Sequence, residues 1–198
     1  IMMATLLATL LLPLEFAVLA GTLISFGRFL VKTSTPRVVP VVPDENFRYF
    51  QNEEQRPTCP QLGMIAIEGS LYFGAVHHVE EMIYANRARH PEQRFLLLRM
   101  HQVDHCDVSG IHMLEAVVRQ YKDRGGDVYF EGTRPQVLEM MVSSGFEQFI
   151  GVDHILPREE SVNFLFHNVL DPAVCIYECE RRVFAECQAL PKHPATAN

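Results

Sequence analysis

The sequence has no excess of basic residues and no phosphate-binding loop. Lysine and arginine total 17, against 24 aspartate and glutamate residues, so the formal net charge is -7. An acidic chain without a basic stripe argues against nucleic acid as a partner. Neither G-x-G-x-x-G after a strand nor G-x-x-x-x-G-K-[ST] occurs, so no known phosphate loop supports nucleotide binding.

Disulfide and catalytic patterns are also missing. The five cysteines are odd in number and scattered, which favours reduced thiols in a cytosolic compartment over a disulfide framework; they are Cys59, Cys106, Cys175, Cys179 and Cys187. No Ser-His-Asp or Cys-His arrangement has the local context of nucleophilic catalysis. The sequence therefore predicts a protein that is not an enzyme and uses no cofactor.

The first 31 residues carry only two charged side chains, Glu15 and Arg28. A signal peptide would need a basic start and a small-residue cleavage site, and both are missing. A spanning helix needs about 20 apolar residues, and a carboxylate at the bilayer centre costs about 2.5–3.5 kcal/mol. We therefore expect Glu15 in an interfacial turn between two short transmembrane segments, 1–12 and 16–31. The alternative is a hydrophobic helix buried in a soluble core.

The residues around these segments indicate their orientation. Arg28, Lys32 and Arg37 follow the second segment, and positive residues flank the cytoplasmic side of a membrane. We therefore expect residues 1–31 to contact the lipid bilayer of an inner or plasma membrane, with the rest of the chain in the cytoplasm. Because the first segment begins abruptly at Ile1, we expect the chain to be the tail of a longer membrane protein.

Prolines recur between Pro36 and Pro60. Proline fixes φ and lacks a backbone donor, so we expect these residues to break any regular element. Residues 32–60 are thus predicted to form an extended Pro-rich linker that leads into a soluble domain.

Residues 61–170 alternate between strand and helix patterns. Apolar runs closed by glycine predict buried strands, and apolar residues at helical spacing predict helices. Thr133 and Gln136 have capping-box spacing at one helix start. The pattern predicts an α/β sandwich with a mostly parallel sheet of about four strands flanked by helices. The strands are expected within 62–69, 94–100, 127–132 and 146–157, and the helices within 75–90, 109–126, 133–145 and 158–170.

The tail, residues 171–198, contains Cys175, Cys179 and Cys187. On a helix these three residues share one face. Three interpretations remain open: an apolar seam that packs on the domain or a neighbouring subunit, a thiol metal or redox site with His167, and a site of acyl attachment.

The turn at residues 107–110 reads Asp-Val-Ser-Gly and joins a strand to a helix. Helix N-termini expose free N–H groups, which Asp107 or Ser109 can cap. Gly110 permits a tight turn or the close approach of another group. The nearby residues His101, His105, Cys106, Asp104 and Asp107 satisfy no zinc spacing, so no metal site is predicted there.

Several segments in order resemble a known family. They are LLLRMHQVDHCDVSGIHMLE (96–115), YKDRGGDVYFEGTRPQVLEMMVSSGFEQFIGVDHIL (121–156) and EGSLYFGAV (68–76). Together they resemble a STAS domain, which forms the cytoplasmic tail of sulfate permease (SulP) type anion transporters and also occurs as bacterial anti-sigma factor antagonists. Residues 5–36 are similar to the last two membrane helices of such transporters.

The resemblance implies the C-terminal part of a secondary transporter of sulfate, bicarbonate or a related anion. The STAS domain would be a regulatory and dimer-contact module, which implies a homodimer. The alternative is a membrane-tethered signalling module that binds a protein or nucleotide regulator at residues 107–110.

The resemblance also bears on the turn itself. In anti-sigma factor antagonists the residue directly after the aspartate is phosphorylated, and here that residue is Val108, which has no hydroxyl. Three uses of Asp107, Ser109 and Gly110 therefore remain: a capped helix start, phosphorylation of Ser109 one residue later, and a docking surface for a nucleotide or partner protein.

Overall fold

The computed structural model describes residues 13–44, Phe50–Asn52 and 57–191. The strands are β1 (Arg37–Pro43), β2 (Phe50–Asn52), β3 (Leu62–Glu68), β4 (Phe95–Gln102), β5 (Asp127–Glu131) and β6 (Ile155–Leu156). The helices are α1 (Leu14–Ser34), α2 (Val76–Arg89), α3 (Val108–Lys122), α4 (Pro135–Ser143), α5 (Phe146–Ile150), α6 (Ser161–Asn168) and α7 (Ala185–Gln188).

The six strands form one sheet in the order β2-β1-β3-β4-β5-β6. Strands β3 to β6 are parallel neighbours, whereas β1 pairs antiparallel with both β2 and β3. The predicted α/β fold with a mostly parallel sheet is confirmed. Its four parallel strands match the expected number, and two antiparallel strands extend the sheet beyond it.

Strand β1 corrects the expectation that prolines exclude regular structure from residues 32–60. Residues 37–40 of β1 pair with β3, and residues 41–43 pair with β2 on the other side. Among the described strands, each half of β1 thus has one side without a partner. Proline is tolerated in a strand where its missing N–H would face an unpaired side, so Pro40 and Pro43 fit there.

Apolar residues lie on both faces of the sheet, as expected for parallel strands covered on two sides. On one face Ile65, Leu98 and Phe130 belong to a core that includes side chains from α2 to α5. On the other face Met64 and Leu97 belong to a second core that includes α6 and the C-terminal tail. The near-continuous apolar runs that predicted these strands reflect this double burial.

Helix α4 does not start with the predicted capping box. Its N-cap is Arg134, no side chain caps it, and Pro135 occupies the first turn. The Thr133 hydroxyl is buried without a hydrogen-bond partner among the described residues. The spacing of Thr133 and Gln136 was therefore misleading, because the chain enters the helix one residue later than the motif requires.

Helix α1 begins after Pro13 and covers the predicted segment 16–31. Within the described ranges, no helix combines the length and the apolar character that crossing a membrane requires. The other predicted segment, 1–12, lies outside the described residues. The two spanning segments therefore stay a prediction.

Candidate regulatory site at the carboxyl edge of the sheet

The turn at residues 107–110 lies where β4 leads into α3, at the carboxyl edge of the parallel strands. A bend after β3 lies against this turn. Leu71 N–H donates to the His105 carbonyl (2.8 Å), and Asp107 N–H donates to the Leu71 carbonyl (2.9 Å). Leu71 and Cys106 form a single parallel bridge. The bend and the turn therefore form one unit at this edge.

The Asp107 carboxylate joins the two segments through both of its oxygens. Its Oδ1 accepts a hydrogen bond from Gly110 N–H at 2.9 Å, and its Oδ2 accepts one from Phe73 N–H at 3.1 Å. The first bond is a helix cap, which satisfies a donor that α3 cannot pair internally. The prediction of a capped helix start is confirmed, with Asp107 rather than Ser109 as the cap.

Gly110 is at this position because no side chain fits. A Cβ there would lie 2.6 Å from the Leu71 carbonyl oxygen and 2.7 Å from the Cys106 sulfur. Gly110 is buried, whereas Ser109 is only half-buried. The sequence predicts that some group approaches Gly110 closely, and in the structure that group is the bend after β3 at Leu71.

Two large apolar side chains beside this turn face solvent. Phe73 is 80% exposed and Val108 is 56% exposed. Their backbones are tied together, because Phe73 N–H bonds the carboxylate of Asp107, the residue before Val108. The Asp107 carboxylate therefore fixes the backbone beside two exposed apolar residues, Phe73 and Val108.

A cleft of about 550 Å³ also opens among residues at the ends of β3 and β4. Its lining carries charges of both signs, with Arg99 and Arg158 alongside Glu68, Glu159 and Glu186. In α/β sheets, ligands bind at the carboxyl ends of the strands. The cleft is therefore suited to a ligand, and its mixed charge favours a polar ligand.

Arg99, which lines this cleft, forms a buried ion pair with Glu131. Arg99 Nη2 lies 3.0 Å from Glu131 Oε1, and Ser161 Oγ donates to Glu131 Oε2 at 3.0 Å. Burial lowers the pKa of Arg99 from its ordinary value, an effect that the adjacent Glu131 carboxylate opposes. The Phe50 ring covers the guanidinium, with its centroid 3.7 Å from the Arg99 Cζ.

His101 lines the cleft, and Arg134 bonds its backbone carbonyl. Arg134 Nε donates to the His101 carbonyl at 2.8 Å and the same guanidinium pairs with Asp104. Burial lowers the pKa of His101, and the nearby Arg99, Arg158 and Arg134 lower it further. The ring is therefore neutral at neutral pH, and its Nδ1 has no hydrogen-bond partner among the described residues.

The histidines and cysteine around the turn do not converge. His105 is exposed, whereas Cys106 faces the core, where burial raises its pKa to about 12. In the part of the chain that the structure describes, no group of three or more His, Cys, Asp or Glu side chains is positioned to hold a metal ion.

Sequence reasoning missed the pair of Arg99 and Glu131. The sequence did contain a feature that could have indicated this pair, because Arg99 and Glu131 are each a charged residue near the carboxyl end of an otherwise apolar strand pattern. Their partnership depends on the register of β4 and β5, which places Arg99 directly beside Glu131. The register between β4 and β5 cannot be predicted from the sequence of either strand alone.

Comparison with known proteins gives a family for these features. The sequence model of the STAS domain matches residues 51–162. The chain is similar to Sulfate transporter 1.1 of Arabidopsis thaliana, with 25% identity over 77% of this chain and 25% of the relative. It is also similar to the putative sulfate transporter YvdB of Bacillus subtilis, with 25% identity over 82% of this chain and 29% of the relative. The chain spans about a quarter of the length of such curated relatives.

A solved structure shows the same fold. The murine anion transporter Slc26a9, in the inward-facing state, superposes with a TM-score of 0.73 at 18% identity. The match covers 84% of this chain and 28% of that protein.

Proposed function

The chain belongs to the STAS domain family, and from this membership we propose that it is the C-terminal part of a SulP-type secondary anion transporter. One observation carries the proposal: the similarity to sulfate transporters from a plant and a bacterium extends over 77% and 82% of the chain. Sulfate is therefore the first substrate to test, followed by bicarbonate and related anions.

In this proposal the chain has four parts. Residues 1–31 contribute the last membrane segments, residues 32–60 connect them to the domain, residues 61–170 form the STAS domain and residues 171–198 form the tail. Arg28, Lys32 and Arg37 support a cytoplasmic STAS domain, because positive residues flank the cytoplasmic side. Strands β1 and β2, which lie within residues 32–60, belong to the sheet.

We assign the STAS domain a regulatory and dimer-contact role, centred on Asp107, Ser109 and Gly110. The support is the exposed apolar pair Phe73 and Val108, held in place by the Asp107 carboxylate. Exposed apolar groups next to a rigid turn suit contact with a second protein surface.

The signalling alternative shares this surface but would use it differently. A phospho-switch of the anti-sigma type needs a hydroxyl at the position of Val108, which is absent. Ser109 supplies a hydroxyl one residue later, at a helix N-terminus that tolerates a phosphate electrostatically. Stoichiometric phosphate on Ser109 in protein from its native cells, detected by mass spectrometry, would favour this alternative over a fixed contact.

Anion flux tests the transport proposal. The full-length protein is reconstituted into proteoliposomes, and uptake of labelled sulfate and bicarbonate is measured. We expect saturable uptake of at least one anion. Correctly inserted protein that carries no tested anion would overturn the proposal.

Surface variants test the contact role. Phe73→Asp and Val108→Asp add charge to exposed positions, so we expect the domain to stay folded while dimer cross-linking or flux of the full-length protein falls. Val142→Asp is a matched control, because Val142 is 49% exposed on α4, away from the turn. Equal effects of all three substitutions would contradict a contact centred on the turn.

A further inference from the structure

A basic pocket lies at the amino edge of the parallel strands, away from the turn at residues 107–110. Arg87 reaches it from the last turn of α2, Arg94 directly precedes β4, and Arg124 lies between α3 and β5. The pocket has a volume of about 340 Å³, and all three arginines line it together with one acidic residue, Glu92. Its lining therefore carries three positive charges against one negative charge.

Arg87 is buried although no acidic residue pairs with it. Its exposed fraction is 9%. Its Nη1 donates to the Gln120 side-chain oxygen at 3.2 Å, its Nη2 donates to the Gln120 carbonyl at 2.9 Å, and its Cζ lies 4.4 Å from the centroid of the Tyr121 ring. These partners are neutral, and among the described residues no carboxylate forms an ion pair with Arg87. Buried charges are normally paired, so an anion in the pocket would supply the missing counter-charge.

The pocket also has hydrogen-bond donors to offer. A guanidinium group carries five N–H donors, and Arg87 uses two of them on Gln120. Tyr121 lines the pocket as well, and burial raises its pKa to about 12, so its hydroxyl keeps its proton at neutral pH. A ligand rich in acceptor oxygens fits such a lining.

The other two arginines are exposed and available. Within the described ranges, neither Arg94 nor Arg124 forms an ion pair with an acidic side chain. Like charges that face one pocket repel each other, and an anion bound among them converts this repulsion into attraction. Burial lowers the pKa of Arg87, and the charge of Arg124 lowers it further, which is consistent with uncompensated positive charge.

The backbone around the pocket is held in place. The N–H groups of Arg124 and Gly126 both donate to the Tyr121 carbonyl, at 3.1 Å and 3.0 Å. Gly126 packs so closely against the Arg94 carbonyl that a side chain at position 126 would collide with it. Gln93, beside Arg94, donates from Nε2 to the Cys59 carbonyl at 2.9 Å. The turns that carry Arg94 and Arg124 are therefore fixed before any ligand binds, which reduces the entropic cost of binding.

Two features oppose an anion here and bear on its charge. Glu92 lines the pocket, and its Oε1 lies 3.5 Å from His90 Nδ1. The C-terminal ends of α2 and α3 add partial negative charge. Three guanidinium groups outweigh both, and their attraction grows with the charge of the ligand. The balance therefore favours a divalent anion over a monovalent one such as chloride.

We propose that the pocket formed by Arg87, Arg94 and Arg124, here called the arginine pocket, binds a free tetrahedral oxyanion with two negative charges, either sulfate or hydrogen phosphate. Guanidinium groups match the oxygens of such anions with paired N–H donors. The bound ion would join the end of α2 to the turns before β4 and β5. The proposal goes beyond transport, because it concerns a site on the domain that exists whether or not the protein moves anions.

Equilibrium dialysis tests the proposal. The full chain, in an uncharged detergent and a buffer free of sulfate and phosphate, is dialysed against labelled sulfate at an ionic strength held constant with sodium chloride, because salt screens exposed charges. We expect saturable binding of about one sulfate per chain, since well-formed ligand sites are few in a protein. Unlabelled phosphate should displace the sulfate, whereas additional chloride at the same concentration should not.

Glutamine variants locate the site. Arg94→Gln and Arg124→Gln change exposed residues, so the domain should stay folded, and each should raise the dissociation constant for sulfate by about fivefold or more. Arg89→Gln is the matched control. It removes one positive charge from the same last turn of α2, but Arg89 lines a different depression, beside Arg37. It should bind sulfate like the wild type, and thermal unfolding without sulfate shows that each variant is folded.

Three results would overturn the proposal. They are a folded wild-type chain that binds neither sulfate nor phosphate saturably, equal weakening of sulfate binding in Arg89→Gln and Arg124→Gln, and stronger displacement by a short-chain phosphatidic acid than by phosphate. The last result would assign the pocket to a lipid headgroup instead of a free ion. None of these results bears on the transport proposal, which anion flux tests separately.

Discussion

The guanidinium of Arg99 and the carboxylate of Glu131 lie 3.0 Å apart on neighbouring strands, and almost no part of either side chain reaches solvent. Each charge is in a medium where an unpaired ion would be strongly disfavoured. Ser161 and Phe50 cover the pair from α6 and β2. The pair therefore ties together four elements around the cleft.

Removing one partner should be costly. For Glu131→Ala we expect a loss of about 3–5 kcal/mol in the free energy of unfolding, because Arg99 is left buried and unpaired. Urea denaturation of the full chain in detergent measures the loss. Glu68→Ala is the control, since Glu68 lies 3.7 Å from the exposed Arg37 and such pairs contribute about 0–1 kcal/mol. Similar losses in both variants would contradict this account.

The aromatic cover of Arg99 gives a second prediction. Phe50→Ala removes the ring over the guanidinium, and we expect a loss of about 1–3 kcal/mol from the cation–π contact and lost apolar burial. Phe73→Ala serves as control because Phe73 is largely exposed, and it should change stability by no more than about 0.5 kcal/mol. The same urea titration distinguishes the two.

Gly110 should not accept a side chain. In Gly110→Ala the new methyl group meets the Leu71 carbonyl and the Cys106 sulfur, so we expect a loss of about 1–3 kcal/mol from overpacking. Ser109→Ala, at the neighbouring half-buried position, should cost less than about 0.5 kcal/mol. A stable Gly110→Ala protein would show that the bend after β3 is free to move away from the turn.

The pair of Asp127 and His154 predicts a dependence of stability on pH. Asp127 Oδ2 lies 3.0 Å from His154 Nε2. Burial alone would raise the pKa of Asp127, but bonds from His154 and the Val128 N–H and the charge of Lys122 outweigh it, so the pKa lies below its ordinary value.

The sign of the effect follows from linkage. A carboxyl whose pKa is lower in the folded state stabilises the fold above the unfolded pKa of about 3.9, and this contribution is lost as the pH falls through the folded pKa. The unfolding free energy of the wild type should therefore fall more steeply below about pH 4 than that of Asp127→Asn. Equal slopes in denaturation series from pH 7 to strongly acidic solution would refute the role of this pair.

Much of the fold could be predicted because the local patterns were strong. Strands β3, β4 and β5 are buried on both faces and therefore appear as apolar runs, and Asp107 precedes its helix at a position where an N-cap is favourable. Strand β1 could not be predicted in the same way, because whether Pro40 is tolerated depends on which side of β1 carries a neighbouring strand.

The sequence by itself determined the alternation of strands and helices, the cap at Asp107, the absence of a hydroxyl at position 108 and the acidic charge of the chain. Each of these depends on one residue or on a short stretch with its own periodicity. Only the tertiary structure decided that Arg99 meets Glu131, that the bend at Leu71 excludes a side chain from position 110, and that Arg87 meets Gln120. These contacts join residues far apart in the chain, and strand register and the packing of two layers on the sheet set the distances between them.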